Sequence, residues 1–417
     1  MLPAIIAVVV FLSGLFFYLN SELYGKSKPK RKINIFGEYS LWVEDSGDEL
    51  TIKWLTVGKD PGYLKAYREG EMIHDVSTPD SQSHTTTIAY DSDYDGEIML
   101  EYGGKRFEDD HHQTTLYLER DWPDRKYVYK DIDSIYVFGD IHGQYVRVIT
   151  LLENAGLVDS TLSWTGGGSH VVFLGDLFDR GNDVIQLLWY IYQLEQQAAE
   201  AGGKVHVVLG NHELMILLGD MRYVSGKEKA IAEALETTYT GLFDVQKSIL
   251  GQWLASKPGL IKINDILFAH GGVSARYMGF SFNTFNDSLY KFMHEPEFPG
   301  LLSSETKTVR GDSALYKKRL YFFYGGSSVF WNREYLQAET DSLVDARKKD
   351  LKKVLKRYKS KYHIIAHTPV PFIQALYDDK LIAVDLAKAA TEMLFLEKKG
   401  KKYKRYRYTM KDGRIKF

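Results

Sequence analysis

The stretch that decides the fold is Ile135-Tyr136-Val137-Phe138-Gly139-Asp140-Ile141-His142-Gly143, an apolar run that ends in glycine and is followed by polar side chains. Two later runs repeat this arrangement. The first leads into Gly175-Asp176-Leu177-Phe178-Asp179-Arg180-Gly181, and the second leads into Gly210-Asn211-His212-Glu213. Such short apolar runs indicate buried strands, and helical stretches such as Val184 to Ala199 follow them. The alternation predicts a layered α/β domain.

Two further motifs near the end of the chain also follow apolar runs, and they are Ala269-His270-Gly271-Gly272 and Ala366-His367-Thr368-Pro369. In open α/β sheets, ligands come from the loops at the carboxyl ends of the strands. We therefore expect one set of polar side chains to converge, namely Asp140, Asp176, Asn211, His270 and His367.

Carboxylate, imidazole and amide groups of this kind can hold two divalent ions about 3.5–4 Å apart when one carboxylate bridges them. Mixed oxygen and nitrogen ligands suit Mn, Fe or Zn better than Mg or Ca. The motifs also supply a spare His–Asp pair and two arginines. This inventory predicts metal-assisted hydrolysis of a phosphate ester, with two divalent metal ions (Mn, Fe or Zn) as cofactors.

The motif around Asp176 and the motif around His212 match the second and third motifs of the phosphoprotein phosphatase branch of the calcineurin-like metallophosphoesterases. Within that branch the chain most resembles the Shewanella-like phosphatases. The signs are Leu214-Met215, Gly219-Asp220-Met221-Arg222-Tyr223, Gly251-Gln252-Trp253-Leu254 and Trp331-Asn332-Arg333. The resemblance covers roughly Tyr136 to Asp385, and Phe178 stands where the family usually has valine. It implies that residues 130–417 form a catalytic domain with a two-layered β-sandwich core flanked by helices.

The resemblance also implies a role for each polar residue in the motifs. Asp140 and His142 would bind the first metal ion, Asp176 would bridge, and the second ion would be bound by Asn211, His270 and His367. His212 would be the general acid that protonates the leaving oxygen, and Asp179 would orient it. The substrate phosphate would be bound by Arg180 and Arg333, with Arg222 as a rival or additional contact.

Three functions are compatible with these residues. The first is a binuclear-metal phosphomonoesterase, a serine/threonine or tyrosine protein phosphatase that works by direct attack of metal-bound hydroxide. The alternative is a hydrolase of dinucleoside polyphosphates or small phosphate esters, because a related branch shares the motifs. The third is an adaptor with an inactive phosphatase fold, which the complete set of motif ligands argues against. The expected partners are thus a phosphorylated protein or a small phosphate ester.

Composition excludes other chemistries. The chain has 417 residues, a formal net charge of -2 and 0 cysteines. The absence of cysteine rules out disulfides, zinc–thiolate sites and cysteine-nucleophile phosphatase chemistry. The slightly acidic charge gives no general argument for nucleic-acid binding, so no nucleic-acid partner is expected.

The N-terminal third of the chain has a different pattern. Residues 33–121 contain short β-branched and aromatic runs separated by Gly, Asp, Ser and Pro clusters, with no helical period between them. This pattern predicts a small all-β sandwich domain. Through the stretch around Trp54 and Thr56 it resembles the fibronectin-like domain that precedes the catalytic domain in some secreted metallophosphatases.

The first residues predict a membrane anchor. Leu2 to Leu19 are nearly all apolar and uncharged, close to the ~20 residues that span a bilayer. Nothing basic precedes the run and no clear Ala-x-Ala follows it, which favours an uncleaved N-terminal transmembrane helix at residues 1–22 over a signal peptide. A basic linker follows at residues 23–32. The expectation is a membrane-anchored, single-pass protein whose topology is open, with a slight cytoplasmic lean from the linker.

Overall fold

The structure is a computed structural model that describes residues 40–106, 110–118, 125–295, 298, 302, 314–338 and 340–417. All of these residues belong to one compact unit, Phe36–Phe417. The predicted membrane anchor at residues 1–22 and the basic linker at residues 23–32 lie outside the described residues. Within the described ranges, no helix is both long enough and apolar enough to cross a membrane.

The N-terminal part is an antiparallel sheet of five strands, β1 (Leu41–Asp45), β2 (Glu49–Arg68), β3 (Glu71–Ala89), β4 (Gly96–Gly104) and β5 (His111–Leu118). The sequence predicted a fibronectin-like sandwich of shorter strands at residues 33–121, and in the structure hydrogen bonds link all five strands in a single sheet. The reason is that β2 continues across register shifts between Leu55 and Asp60 and between Pro61 and Tyr63. The beginning of β2 pairs with β1, its end pairs with β4, and β3 runs alongside both parts.

The rest of the described chain is built on two six-stranded sheets. The first has the spatial order β17-β16-β15-β7-β8-β9, where the strands are β7 (Ser134–Phe138), β8 (His170–Phe173), β9 (Lys204–Val207), β15 (Glu392–Lys399), β16 (Lys402–Thr409) and β17 (Gly413–Lys416). The second has the order β13-β14-β12-β11-β10-β6, where the strands are β6 (Val128–Tyr129), β10 (Ile261–Ile263), β11 (Ile266–Phe268), β12 (Tyr362–Ile365), β13 (Gln374–Leu376) and β14 (Leu381–Ala383).

The apolar core joins these two sheets. Val137 and Val172 of the first sheet share one buried cluster with Phe268, Ile364 and Ile382 of the second. Eight helices of the described chain flank the sheets: α1 (Tyr145–Asn154), α2 (Val184–Glu200), α3 (Asn211–Leu218), α4 (Gly226–Ala234), α5 (Ile249–Ala255), α6 (Phe282–Met293), α7 (Ala314–Tyr324) and α8 (Asp341–Arg357). The predicted two-layered β-sandwich core flanked by helices is confirmed.

The N-terminal sheet packs against α2. The indole Nε1–H of Trp189 donates to the carbonyl of Leu41 at 2.9 Å. The side-chain amide of Gln193 bonds both the N–H and the carbonyl of Thr115, at 3.2 and 2.7 Å, and the hydroxyl of Tyr192 accepts from the N–H of Tyr117 at 2.8 Å. Side chains of α2 therefore form hydrogen bonds with backbone N–H and C=O groups at the edge of β5, which could otherwise pair with a strand of another chain.

Candidate active site

The motif residues lie at one edge of the two sheets. Strands β7, β8 and β9 are parallel to one another, and so are β11, β12 and β14. The polar side chains follow the carboxyl ends of these strands, as the sequence predicted, and they are Asp140 after β7, Asp176 after β8, Asn211 after β9, His270 after β11 and His367 after β12. The structure brings all five together.

Asp176 is the centre of this cluster. Its Oδ1 lies 3.2 Å from Nε2 of His270, and its Oδ2 lies 3.8 Å from Nε2 of His212. Two groups of buried side chains share it, His142–Asp176–His212 and Asp176–His270–His367, and within each group the candidate ligand atoms all lie within 4.8 Å of one another. A carboxylate common to two such groups is the arrangement that a pair of neighbouring metal ions requires.

His142 lies on one side of Asp176 with a free ring nitrogen. Its Nδ1–H donates to the carbonyl of Phe178 at 2.7 Å, which leaves Nε2 as the lone-pair nitrogen. That Nε2 is buried, has no hydrogen-bond partner within the described part of the chain, and lies 3.7 Å from Oδ2 of Asp140. Burial lowers the pKa of His142 to about 4, so the ring is neutral near pH 7. A neutral imidazole fixed by a carbonyl at its other nitrogen is the form that binds metals.

His270 lies on the other side, held in a similar way. Its Nδ1–H donates to the carbonyl of Leu174 at 2.6 Å, and Nε2 lies 3.1 Å from Oδ1 of Asn211. Burial alone would lower the pKa of His270, but the carboxylates of Asp176 and Asp140 raise it to about 10. A metal ion at this point would replace the proton that Nε2 carries between two oxygen atoms.

His367 completes the second group. Both of its ring nitrogens are buried without a partner among the described residues, and its ring packs 5.1 Å from that of His270 and 5.7 Å from that of Trp331. Burial lowers the pKa of His367 to about 2. Unpaired buried nitrogens are costly unless something binds them. Together with the free Nε2 of His142, they show that these residues fit a divalent metal centre.

His212 and Asp179 form a buried pair beside the shared carboxylate. Nδ1 of His212 lies 2.5 Å from Oδ2 of Asp179. Burial would lower the pKa of His212, but the carboxylates of Asp176 and Asp179 outweigh it and raise the pKa. The imidazole can therefore hold a proton on Nε2 while Asp179 holds Nδ1–H. The ring also belongs to the group with His142 and Asp176, a proximity that the sequence did not predict.

The three arginines have different environments. Arg180 is exposed, and its side chain forms no hydrogen bond or ion pair with the described residues. Arg333 donates from Nη1 to the carbonyl of His367 at 2.9 Å. Arg222 pairs with both oxygens of Asp220, with Nε–Oδ1 at 2.8 Å and Nη2–Oδ2 at 2.7 Å, so its guanidinium already has a carboxylate partner.

Two further buried carboxyl groups belong to the site, and the sequence analysis gave them no role. Glu213 accepts three backbone N–H groups, from Asp176 at 2.9 Å, Leu177 at 2.7 Å and Gly210 at 2.6 Å. Asp385 is buried next to Asp140, and burial raises its pKa to about 7. The signal for Asp385 was present, because it follows the apolar run of β14 as the other motif residues follow theirs. For Glu213 only its place in the third motif pointed to the site.

The loops that carry these residues are strained. The backbones of His142, Asp176, Asp179, Arg180 and His367 all have positive φ, between 48° and 70°. Non-glycine residues rarely adopt this conformation, and such outliers gather at functional sites. The glycines beside them allow close approach, since a Cβ on Gly175 would lie 2.5 Å from the backbone nitrogen of Gly210.

Comparisons with known proteins agree with this geometry. The sequence model of the family described as calcineurin-like phosphoesterase matches residues 134–371. Shewanella-like protein phosphatase 2 of Arabidopsis thaliana is 40% identical over 95 residues, which are 23% of this chain and 24% of that protein. Shewanella-like protein phosphatase 1 of Plasmodium berghei is 25% identical over 241 residues, which are 57% of this chain and 62% of that protein. The chain therefore spans less than two thirds of the length of these curated relatives.

Among solved structures, the cold-active protein-tyrosine phosphatase of a Shewanella species is similar over most of its length. It has a TM-score of 0.67 and 27% sequence identity, and the match covers 91% of this chain and 99% of that chain.

Proposed function

Because the chain belongs to the calcineurin-like phosphoesterases, we propose that it is a phosphomonoesterase that removes phosphate from serine, threonine or tyrosine side chains of proteins. The observation that carries this proposal is the shared position of Asp176 between two groups of buried ligand atoms, with the His212–Asp179 pair beside it. The protein-phosphatase names of the relatives and of the similar Shewanella structure support the choice of substrate.

The metal ligands of the proposal are those that the sequence predicted. Asp140 and His142 would hold one divalent ion, Asp176 would be shared, and Asn211, His270 and His367 would hold the second ion. Bound there, two divalent ions would supply positive charge to the phosphoryl group and would lower the pKa of a bound water molecule. Nitrogen and oxygen ligands favour Mn, Fe or Zn. Glu213 keeps the ligand loops in place through its three bonds to backbone N–H groups.

The remaining residues act on the substrate. His212 gives the proton on Nε2 to the leaving oxygen, and Asp179 stabilises the charged ring through Nδ1. Arg180 and Arg333 bind phosphate oxygens with their planar guanidinium groups, and Arg222 is an additional contact positioned by Asp220. Tyr223 is 47% exposed, with its ring 5.6 Å from that of His212, and it offers a surface for an aromatic side chain such as phosphotyrosine.

The test is phosphate release by the full chain supplied with manganese. Phosphotyrosine, phosphoserine and phosphothreonine peptides are compared with diadenosine tetraphosphate. Peptide turnover that His212→Asn loses, and that the exposed-histidine control His111→Asn keeps, is the expected result. Turnover of the dinucleotide alone would contradict the proposal and make the alternative correct, a hydrolase of dinucleoside polyphosphates or small phosphate esters.

The predicted membrane anchor is a separate proposal that rests on the sequence. The uncharged apolar run from Leu2 to Leu19 supports a single-pass attachment at residues 1–22. The full chain should stay with the membrane fraction after an alkaline carbonate wash, and a chain that begins at residue 33 should not. Release of the full chain by the wash would contradict the anchor.

A further inference from the structure

A cavity with a volume of about 330 Å³ is lined by none of the candidate active-site residues. Its walls come from β5 of the N-terminal sheet, the segment around β6, the second half of α2, the whole of β9 and the turn after α5. Lys204 begins β9 and lines the cavity, whereas Asn211 follows the end of that strand. Seven steps of nearly extended chain lead from Lys204 to Asn211, so Lys204 is roughly 20 Å from that candidate metal ligand.

The cavity has an excess of positive charge. Four cationic side chains line it, Arg125, Lys126, Lys204 and Lys257, against one carboxylate, Glu195. Lys257 is paired with Glu195 at 2.6 Å, and Glu195 also accepts from the indole of Trp253 at 2.8 Å. Among the described residues, the other three cations form no ion pair with a carboxylate, although Arg125 stacks on the ring of Tyr290 at 3.2 Å and Lys126 lies 5.1 Å from the ring of Tyr129. Cations without a carboxylate partner that share one concave surface favour an anionic ligand.

The other walls are aromatic. Tyr192 contacts both of its neighbours, with ring centroids 5.7 Å from Tyr117 and 5.8 Å from Trp253. The ring of Tyr129, which also lines the cavity, makes an edge contact with His206 at 4.6 Å. Flat apolar faces of this kind stack on planar rings.

His206 adds a neutral polar group to this surface. It is buried, and its Nε2 lies 2.9 Å from Nδ1 of His170. Burial lowers its pKa well below the usual value, and the neighbouring His170 and Lys204 act in the same direction. The ring can take part in hydrogen bonding to a ligand without adding charge.

We propose that this cavity is a second, non-catalytic binding site for a small ligand that joins a planar ring to a phosphate group. Lys204, Lys126 and Arg125, which have no carboxylate partner among the described residues, bind the phosphate, and the aromatic walls hold the ring. The volume is at the small end of ligand pockets, which suits a mononucleotide or an aryl phosphate. Mononucleotides and aryl phosphates share this chemistry, and a comparison of their affinities distinguishes them.

The experiment is isothermal titration of the full chain carrying Asp176→Asn and treated with EDTA, so that the candidate metal centre does not bind phosphate. The probes are adenosine monophosphate, phosphotyrosine, adenosine and inorganic phosphate. We expect saturable binding of one or both ring phosphates at a single site, at least tenfold tighter than adenosine or inorganic phosphate. The tighter binder of the two, adenosine monophosphate or phosphotyrosine, identifies the class of ligand that the cavity binds.

Three variants in the same background locate the binding. Lys204→Gln and Lys126→Gln should each weaken the ring phosphate at least tenfold, while Lys404→Gln, which removes the same charge from exposed strand β16, should leave it unchanged. Circular dichroism checks that each variant is folded. The absence of saturable binding, or equal affinities in Lys204→Gln, Lys126→Gln and Lys404→Gln, would overturn the proposal. Inorganic phosphate binding as tightly as the nucleotide would also overturn it, because the ring would then contribute nothing.

Discussion

At the scale of single residues, the candidate site depends on carboxyl groups that have different tasks. Asp176 faces both groups of ligand atoms, Asp179 holds the ring of His212, and Glu213 contacts no candidate ligand atom but accepts backbone N–H groups of the loops around it. All three are buried. Burial of an unpaired carboxylate is expensive, and the partners of these three groups offset part of that cost.

Replacing Glu213 tests whether its bonds to the backbone N–H groups support the site. A glutamine has one acceptor oxygen where the carboxylate has two, so Glu213→Gln should leave at least one of the three N–H groups unpaired. We expect a loss of about 1–3 kcal/mol in the free energy of unfolding and about 10–100-fold weaker metal binding. Urea unfolding and a metal titration measure the two effects. Exposed Glu233→Gln is the control. Equal unfolding free energies and equal metal affinities in the two variants would contradict the supporting role of Glu213.

Asp179→Asn tests the general-acid pair. Without the carboxylate, the proton on His212 is less strongly held in place, and we expect kcat to fall about 10²–10⁴-fold on phosphoserine peptides. A leaving group that needs no proton, such as p-nitrophenolate, should show a much smaller loss. Half-buried Asp183→Asn is the matched control. Equal losses on both substrates would show that Asp179 acts through something other than proton transfer.

At the scale of elements, α2 connects several parts of the molecule, and its first turn has an unusual cap. The residue before the helix, Asp183, makes no side-chain capping bond. Instead Glu228 reaches across from α4 and accepts the N–H groups of Val184 at 2.9 Å and Ile185 at 3.4 Å. A carboxylate at this end of a helix satisfies donors that have no partner within the helix.

The cap should make stability depend on pH. Burial raises the pKa of Glu228 from 4.5 to about 8, so the folded state binds a proton that the unfolded state releases. The resulting stability is fully present below pH 4.5 and is lost as the pH rises through about 8. We expect the free energy of unfolding to fall across this window by up to about 1.4 kcal/mol per pH unit from this group. Urea titrations at pH 5, 6.5 and 8 should show that the free energy of unfolding depends less on pH in Glu228→Gln than in the unchanged protein. The same pH dependence in both proteins would contradict the raised pKa of Glu228.

At the scale of the whole molecule, the N-terminal sheet and the α/β part belong to the same compact unit, Phe36–Phe417. The contacts of α2 with β1 and β5 involve the indole of Trp189, the amide of Gln193 and the hydroxyl of Tyr192. Trp54 of the sheet and Trp189 of α2 also belong to one buried apolar cluster. The two parts should therefore unfold together.

Removal of the sheet tests this expectation. A chain that begins at Arg125 would expose the apolar face of α2 and lose the hydrogen bonds to β1 and β5, so we expect it to unfold at lower urea concentration and to aggregate. In the full chain, tryptophan fluorescence and far-ultraviolet circular dichroism should report a single coincident transition. Two separate transitions, or a shortened chain as stable as the full one, would show that the sheet is an independent domain.

The sequence alone determined the layered α/β class and the residues that gather at the site, for a simple physical reason. A polar residue placed directly after a buried parallel strand has to emerge at the carboxyl edge of the sheet, so Asp140, Asp176, Asn211, His270 and His367 converge whatever the loops between them do. Asp385 obeys the same rule and could have been found in the same way.

Only the tertiary structure decided the features that depend on contacts between distant segments. Three such features are the bonds of Glu213 to Asp176 and Leu177, the cap that Glu228 gives to α2, and the single sheet formed through the long strand β2. They all join residues whose meeting no local pattern specifies. The cavity around Lys204 is the clearest case, because its cations come from segments separated by up to 132 residues along the chain (257 − 125 = 132). Local periodicity sets where a chain forms strands and helices, whereas the packing of one element against another sets what their side chains meet.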